Sequence, residues 1–179
     1  MTEILSDNPV EAIIGHHFAD PDLLTRALTH PSAIESCQVE RSYERLEFLG
    51  DAILGAIVSM MLFQRFPTMD EGGMTRAKIA LVSGQNLSNL AEQLGLAEHI
   101  HFGSSERGTG RRGLGSALEN VYEALVAALA LDGGSQAAWD FVERTLAPQI
   151  GERSGRESGN PKSRLQEKLQ MRRITPTYE

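Results

Sequence analysis

Three carboxylate residues fall on one face of a stretch that reads as a helix. At about 100° per residue, Glu44, Glu47 and Asp51 lie within about 60° of one another. Further along the same face the sequence becomes apolar, at Leu54 and Val58, which is typical of a helix that enters a core. Carboxylates in such a position repel one another and lose hydration, so they need protons, basic partners or metal ions.

A second apolar stretch carries a similar polar face. Glu119, Asn120 and Glu123 share one side, and Val121 and Leu125 lie behind them. Two core helices that each offer carboxylates at this spacing can build an oxygen-ligand cluster, which suits hard cations such as Mg²⁺ or Mn²⁺. Surface ion pairing would explain one isolated Glu pair. Repetition on the two most apolar helices favours a metal site.

The rest of the chain also reads almost entirely as helix, so we predict an all-α fold. Asn8-Pro9 and Asp20-Pro21 each place a capping residue before Pro at the first helical position. Further helices are predicted over 42–65, 73–94 with a bend near 85–86, 116–131 and 135–146. Gly133-Gly134 should stop the helix over 116–131, and the segment 101–115 should be an exposed loop.

Composition sets further bounds. The 179 residues can bury one full core with some length left for a tail, and 41% apolar with 23% charged residues is typical of a soluble globular protein. No apolar run approaches the roughly 18 residues of a membrane helix, and no signal pattern opens the chain. A cytoplasmic location without a membrane partner is therefore expected. Cys37 is the only cysteine, which excludes an internal disulfide and a cysteine zinc site.

The net charge of −7 argues against simple electrostatic binding of nucleic acid. The charge is uneven, however, because residues 1–150 hold 10 Lys and Arg against 20 Asp and Glu, whereas residues 151–179 hold 7 against 4. An acidic body with a basic tail fits a metal-dependent site followed by a nucleic-acid-binding element. It also fits an ordinary acidic protein with a solvated tail, and charge alone favours this simpler interpretation.

The first acidic stretch resembles a known family. Residues 44–51, Glu-Arg-Leu-Glu-Phe-Leu-Gly-Asp, are similar to the signature of the bacterial ribonuclease III endonuclease domain, and segments 27–33, 71–82 and 123–133 resemble its other landmarks in order. Residues 160–167 resemble the first helix of the double-stranded-RNA-binding domain that follows. The resemblance thus divides the chain into a catalytic domain (1–150), a flexible linker (151–159) and an incomplete RNA-binding domain (160–179).

The resemblance implies an endonuclease that hydrolyses double-stranded RNA with Mg²⁺, for which Mn²⁺ substitutes. Products would carry 5′-phosphate and 3′-hydroxyl ends with short 3′ overhangs, and the substrates would include ribosomal RNA precursors and other structured transcripts. Glu47, Asp51 and Glu123 match the family's metal ligands. Asn120 stands where the family usually has Asp, so it would offer an uncharged ligand oxygen, and Glu119 could compensate for the missing charge.

Further residues follow from the same resemblance. Glu44, grouped with the catalytic carboxylates, and Glu71 match acidic positions nearer the RNA, and Phe48 matches an aromatic residue that inserts into a partner subunit. A homodimer is therefore expected. Arg111 and Arg112, in a glycine-rich loop, should reach RNA phosphates, and the tail should contribute Gln166.

Two other functions remain open from the sequence. Asn120 motivates a double-stranded-RNA-binding protein of the same fold that is catalytically weak or inactive. Paired acidic helices also occur in all-α nucleotide pyrophosphohydrolases that use Mg²⁺. A nucleotide cofactor is not expected, because the Gly-x-Gly-x-x-Gly match at 108–113 lacks a preceding strand and a following Lys-Ser or Lys-Thr.

Overall fold

The computed structural model describes residues 8–34, 38–104 and 111–156, with side chains given up to residue 150 and not for 111 and 112. Within these ranges the chain forms α-helices, short 3₁₀ turns and one isolated parallel bridge between Thr29 and His101. The α-helices are α1 (Pro9–Ile14), α2 (Pro21–Ala27), α3 (Glu44–Arg65), α4 (Glu71–Leu81), α5 (Gly84–Gln93) and α6 (Arg111–Arg156). The predicted all-α fold is confirmed.

The first two helices begin as their capping residues predict. The side chain of Asn8 accepts a hydrogen bond from the N–H of Val10, and that of Asp20 accepts one from the N–H of Asp22. Each helix has Pro in its first turn, where the missing N–H is not needed. Gly15 ends α1 in the left-handed region at φ 72°, a conformation that glycine adopts without strain.

The predicted single helix over 73–94 is wrong, because two helices occupy this segment. Ser83 leaves the helical conformation at φ −66° and ψ 142°, and its hydroxyl donates to the carbonyl of Ala80. The side chain of Asn86 donates to the carbonyl of Leu81 and so satisfies the end of α4. The apolar periodicity continues across this break, which is why periodicity alone did not reveal it.

The last helix, α6, is broken once. Gly134, at φ 76° and ψ −179°, divides it into two helical segments, so the predicted stop at Gly133-Gly134 is confirmed. The first segment begins at Arg111, earlier than predicted, and the second continues past Pro148 to Arg156, within the predicted linker 151–159. Residues 157–179, which include the predicted RNA-binding segment, lie outside the described residues, so the domain division stays a prediction.

The core is built around the crossing of α3 and the first segment of α6. Every residue from Val121 to Leu129 is buried, and Leu46, Leu54 and Val58 face them from α3. Helices α2, α4 and α5 pack around this pair. The two stretches that carry acidic faces in the sequence are therefore neighbours in space.

Two helices are long and apolar enough, by length and composition alone, to cross a membrane. They are Glu44–Arg65 and Gly113–Ile150, in which a window of 18 residues has a mean hydropathy of 1.8 and 1.3, respectively. The sequence predicts no apolar run close to the length of a membrane helix. That expectation is corrected, because isolated charges such as Glu47 and Asp51 still leave a high mean hydropathy over 18 residues. Core helices of soluble proteins pass the same test, and these two pack against each other.

Candidate active site

The N-terminal half of α3 presents its carboxylates beside the core. Glu47 is half-buried, whereas Glu44 and Asp51 are exposed. The expectation that the whole acidic face is buried is therefore only partly right: the face opens to solvent near the start of the helix and enters the core at Leu54 and Val58, which are fully buried.

The facing part of α6 contributes the most buried carboxylate. Glu123 is only 8% exposed, and Glu119 and Asn120 are half-buried one turn earlier. Val121 and Leu125 lie behind them with no exposed surface. This side of α6 therefore has the predicted arrangement, with polar groups directed at the rim of the α3 crossing.

Electrostatics join the two helices into one acidic group. Burial, followed by the nearby Asp51, Glu119 and Glu47 in that order, raises the pKa of Glu123 to about 8. The pKa of Glu47 is also raised, first by burial and then by Glu44, Glu119 and Asp51. None of the ion pairs found among the described residues involves these carboxylates. The group therefore holds negative charge that a cation would relieve.

The donor set fits a hard divalent cation. Glu47, Asp51 and Glu123 offer carboxylate oxygens and Asn120 an amide oxygen, which are the ligand types that Mg²⁺ and Mn²⁺ favour. In the described part of the chain, no three His, Cys, Asp or Glu side chains already surround a common point. The carboxylates thus approach one another across the crossing without forming a preformed cage.

Tyr43 is a site residue that the sequence reasoning missed. It directly precedes α3, is almost fully buried, and its hydroxyl accepts a hydrogen bond of 3.4 Å from Nδ2 of Asn120. Its N–H donates to the carbonyl of Thr29, and its own carbonyl accepts from the N–H of Glu47 at 2.7 Å. The signal was present in the spacing, because a residue four positions before Glu47 shares its helix face.

Glu119 lies at the edge of the acidic group, beside α5. A Cβ built on Gly84 would stand 2.3 Å from its Oε2, so the carboxylate rests against the first turn of α5. A negative charge is favourable at a helix N-terminus. Glu119 also lines a surface cleft of about 620 Å³ together with Gln85, Ser88 and Asn89. It thus separates the acidic group from this polar cleft.

Glu71 is not part of the acidic group. It starts α4, accepts a hydrogen bond from the hydroxyl of Thr75, and lines a cleft with Phe63 and Lys78. Phe63 comes twelve residues after Asp51 on α3, which corresponds to about 18 Å along the helix axis. Within one chain, Glu71 therefore stands well apart from the other predicted carboxylates.

Of the remaining predicted residues, some have side chains that the structure describes and others do not. Phe48 is 84% exposed on α3, as a residue that inserts into a partner would be. Arg111 and Arg112 form the first turn of α6, not a loop, and their side chains lie outside the described part of the structure. Gln166 also lies outside it. The RNA-binding roles of these three residues stay predictions.

Comparison with known proteins decides the family. Residues 20–150 match the family described as ribonuclease-III-like. The chain belongs to this family. Ribonuclease 3 of Rhodopseudomonas palustris is 43% identical over 170 residues, which is 94% of this chain and 62% of that protein. Ribonuclease 3 of Geobacter metallireducens is 43% identical over 179 residues, covering 97% of this chain and 73% of the relative.

A solved structure agrees with the family assignment. The nuclease domain of ribonuclease III from Campylobacter jejuni superposes with a TM-score of 0.70 at 32% identity, over 76% of this chain and 93% of that domain. The ribonuclease-III-like match at residues 20–150 includes helices α2 to α5 and most of α6. The present chain spans a little under two thirds of the Rhodopseudomonas protein, so the matched region corresponds mainly to the nuclease part.

Proposed function

We propose that the chain is an endoribonuclease that hydrolyses phosphodiester bonds in double-stranded RNA. The observation that carries the proposal is the acidic group across the α3–α6 crossing, in which burial and neighbouring carboxylates raise the pKa of Glu123 to about 8. Membership in the ribonuclease-III-like family indicates the reaction, and this donor set is suited to it. Ribosomal RNA precursors and other structured transcripts in the cytoplasm are the proposed substrates.

Mg²⁺ is the proposed cofactor, with Mn²⁺ as a substitute. When bound, it supplies Lewis-acid activation of water and stabilisation of the leaving 3′ oxygen. Glu47, Asp51 and Glu123 would hold it through carboxylate oxygens, and Asn120 through an uncharged amide oxygen. The raised pKa of Glu123 favours its protonated form. Glu123 must lose this proton before its carboxylate can bind the cation. We propose that Glu44, which is exposed one turn before Glu47, faces the bound RNA.

The exposed side of α3 supports a homodimer. Phe48, Ala52, Ala56, Met60 and Phe63 are all exposed and recur every three or four residues, so they form one apolar stripe. An exposed apolar patch of this kind marks an interaction surface. The Campylobacter nuclease domain is described as having a region involved in dimer formation. We infer that the α3 stripe, defined by these five residues, packs against a second copy of this chain.

A cleavage assay tests the activity directly. Long duplex RNA would be incubated at low salt with Mg²⁺, with and without a chelator, using the wild type, Glu123→Ala and Asn120→Asp. Glu143→Ala is the matched control, because Glu143 is an exposed glutamate on the second segment of the same helix. The proposal expects metal-dependent cutting into short 5′-phosphorylated duplexes that is lost in Glu123→Ala and kept in Glu143→Ala.

Other outcomes would support other functions. Binding of intact duplex without cutting at any Mg²⁺ or Mn²⁺ concentration would make the protein an RNA-binding member of the family. Cutting only by Asn120→Asp would identify the missing carboxylate as the reason. Release of pyrophosphate from nucleoside triphosphates, without RNA cleavage, would contradict the proposed reaction altogether.

A further inference from the structure

Asn120 differs chemically from a carboxylate in having two unlike ends. Its Oδ1 can accept hydrogen bonds or ligate a cation. Its Nδ2 carries two hydrogen atoms, so this end of the side chain repels a cation. An asparagine can therefore serve a metal site in only one of the two orientations of its amide. Something in the structure must select that orientation if Asn120 is to act as a ligand.

In the structure, the hydroxyl of Tyr43 contacts the nitrogen end of this amide. It accepts a hydrogen bond from Nδ2 of Asn120, which directs the nitrogen toward the N-terminus of α3. The amide oxygen then faces away from Tyr43, and no hydrogen bond to it is found among the described residues. Asn120 lies one turn before Glu123 on the same face of α6, so its side chain borders the acidic group.

Tyr43 itself is held firmly. Its N–H donates to the carbonyl of Thr29 at 3.0 Å, and its ring meets the edge of the His30 ring at a centroid distance of 5.6 Å. Its carbonyl accepts the N–H of Glu47, which is the first hydrogen bond of the helix that carries the site. Tyr43 thus links the start of α3 to the amide on α6.

We propose that Tyr43 is a positioning residue that orients the Asn120 amide so that Oδ1, not Nδ2, is presented to the cation. The inference rests on the proposed function, since it assumes that the acidic group binds Mg²⁺ or Mn²⁺. It also defines an interdependence. An asparagine at position 120 needs the tyrosine hydroxyl, whereas an aspartate, which has oxygen at both ends, does not.

A double-mutant cycle tests this interdependence. The four full-length proteins are wild type, Tyr43→Phe, Asn120→Asp and the double variant. Mn²⁺ alone is titrated into each protein without RNA, and free Mn²⁺ is followed by electron paramagnetic resonance. Glu123→Ala identifies the binding that belongs to the site, and thermal unfolding of each variant shows that it is folded. RNA cleavage as a function of Mn²⁺ concentration is measured in parallel.

Tyr43→Phe should weaken Mn²⁺ binding about tenfold, the range found for residues that orient metal ligands. In the Asn120→Asp background the same change should have less than about a twofold effect, because either carboxylate oxygen can serve. Cleavage should follow the same pattern through the Mn²⁺ concentration required, with a smaller effect at saturating metal. A role of Tyr43 in packing alone would instead weaken binding equally in both backgrounds, and that result would overturn the inference.

The outcomes also separate this inference from the proposed function. If the wild type binds Mn²⁺ and cuts RNA but Tyr43→Phe binds Mn²⁺ equally well, only the positioning role fails. If the wild type neither binds Mn²⁺ in a Glu123-dependent manner nor cuts RNA, the proposed function fails and the inference fails with it.

Discussion

Gly50 of α3 lies directly against the main-chain carbonyl of Glu123 on α6. A Cβ built on Gly50 would stand 1.8 Å from that oxygen, which is far closer than two non-bonded atoms can approach. The absence of a side chain at Gly50 therefore allows the two backbones to touch. Asp51 follows Gly50 in sequence, so the same contact brings the carboxylates of Asp51 and Glu123 together across the crossing.

Replacing Gly50 with alanine should separate the two helices. The added methyl group meets backbone atoms that cannot rotate aside, so we expect Gly50→Ala to lower the free energy of unfolding by about 3 kcal/mol or more. Urea denaturation followed by circular dichroism measures this loss. Mn²⁺ binding by the folded fraction should weaken as well, since the carboxylates move apart.

Gly115→Ala is the matched control for this change. Gly115 also lies within a helix, but a Cβ there would meet only the Ser88 hydroxyl at an ordinary 3.5 Å. Alanine should therefore stabilise the protein by roughly 0.5 to 1 kcal/mol through its better helix propensity. Equal destabilisation by both substitutions would contradict the role assigned to the Gly50 contact.

Glu123 should make the metal-free protein less stable as the pH rises. Its pKa is about 8 in the folded protein and near 4.5 when unfolded, so between these values the folded state binds more protons. The free energy of unfolding therefore falls with increasing pH across this window. Glu123→Gln removes the effect. We expect it to match the wild type near pH 5 and, allowing for solvent screening, to exceed it by about 1 to 2 kcal/mol at pH 8.

Urea denaturation in chelator at several pH values checks this prediction. Glu143→Gln, an exposed glutamate on the same helix, controls for the loss of one carboxylate from the protein. A stabilisation by Glu123→Gln that is the same at pH 5 and pH 8 would show that titration of Glu123 is not its cause. The predicted gain in stability would accompany loss of metal binding, which is expected of a group retained for function.

Asp132 fastens the connection between α1 and α2 to the end of the first α6 segment. Its side chain is 4% exposed and accepts hydrogen bonds from His16 Nε2 at 2.7 Å and from the N–H groups of Ala19 and Asp20. Burial alone would raise the pKa of Asp132, but the hydrogen bonds from Asp20, His16 and Ala19 outweigh it and lower the pKa below 3.8. The carboxylate form is therefore the one that the fold stabilises.

Asp132→Asn should destabilise the protein by about 2 kcal/mol at pH 7, because His16, Ala19 and Asp20 lose their charged acceptor. The stabilisation by the carboxylate is present above pH 3.8 and is lost as the pH falls through the lower pKa of the folded state. The difference between wild type and variant should therefore shrink below pH 3.8 in thermal unfolding. Asp140→Asn is the control, since Asp140 is exposed and accepts from Gln136. Comparable losses of stability at both positions would argue against the role assigned to the Asp132 hydrogen bonds.

A charge within the α3 stripe should disrupt the proposed homodimer. Phe63 is 71% exposed and lies away from the acidic group, so Phe63→Glu tests assembly without altering a metal ligand. Loss of a large aromatic residue from this stripe, with a charge in its place, is expected to weaken dimerisation by about 2 kcal/mol or more, or roughly 30-fold. Sedimentation equilibrium measures this, and Leu131→Glu, another exposed apolar position on α6, is the control. A dimer that withstands Phe63→Glu would place the interface elsewhere.

Local sequence signals predicted much of the fold. Asp20-Pro21 marked a helix start and Gly133-Gly134 a helix break because caps, proline and glycine act within a few residues of themselves. The break at Ser83 was missed because it depends on hydrogen bonds to Ala80 and from Asn86 to Leu81, while the apolar pattern runs on unchanged. Periodicity reports which face is buried and is silent on such interruptions.

The candidate site was predictable in its residue types but not in its contacts. Helical spacing placed Glu47 and Asp51 on one face, yet only packing reveals that Asp51 meets Glu123 and that Glu119 turns toward Gly84. The contact between Tyr43 and Asn120 joins residues 77 positions apart. Such a pairing follows from the helix crossing, which the sequence does not encode in any local pattern.

The α3 stripe has a consequence for how the protein responds to dilution. If the stripe is covered only by a second copy, part of each subunit's stability is supplied by association, and mass action then ties the melting temperature to protein concentration. A thousandfold dilution would reduce the association contribution by about 4 kcal/mol per dimer. Each subunit would then expose Phe48 and Phe63 to water, and the chain would become more prone to aggregate at the concentrations where it unfolds.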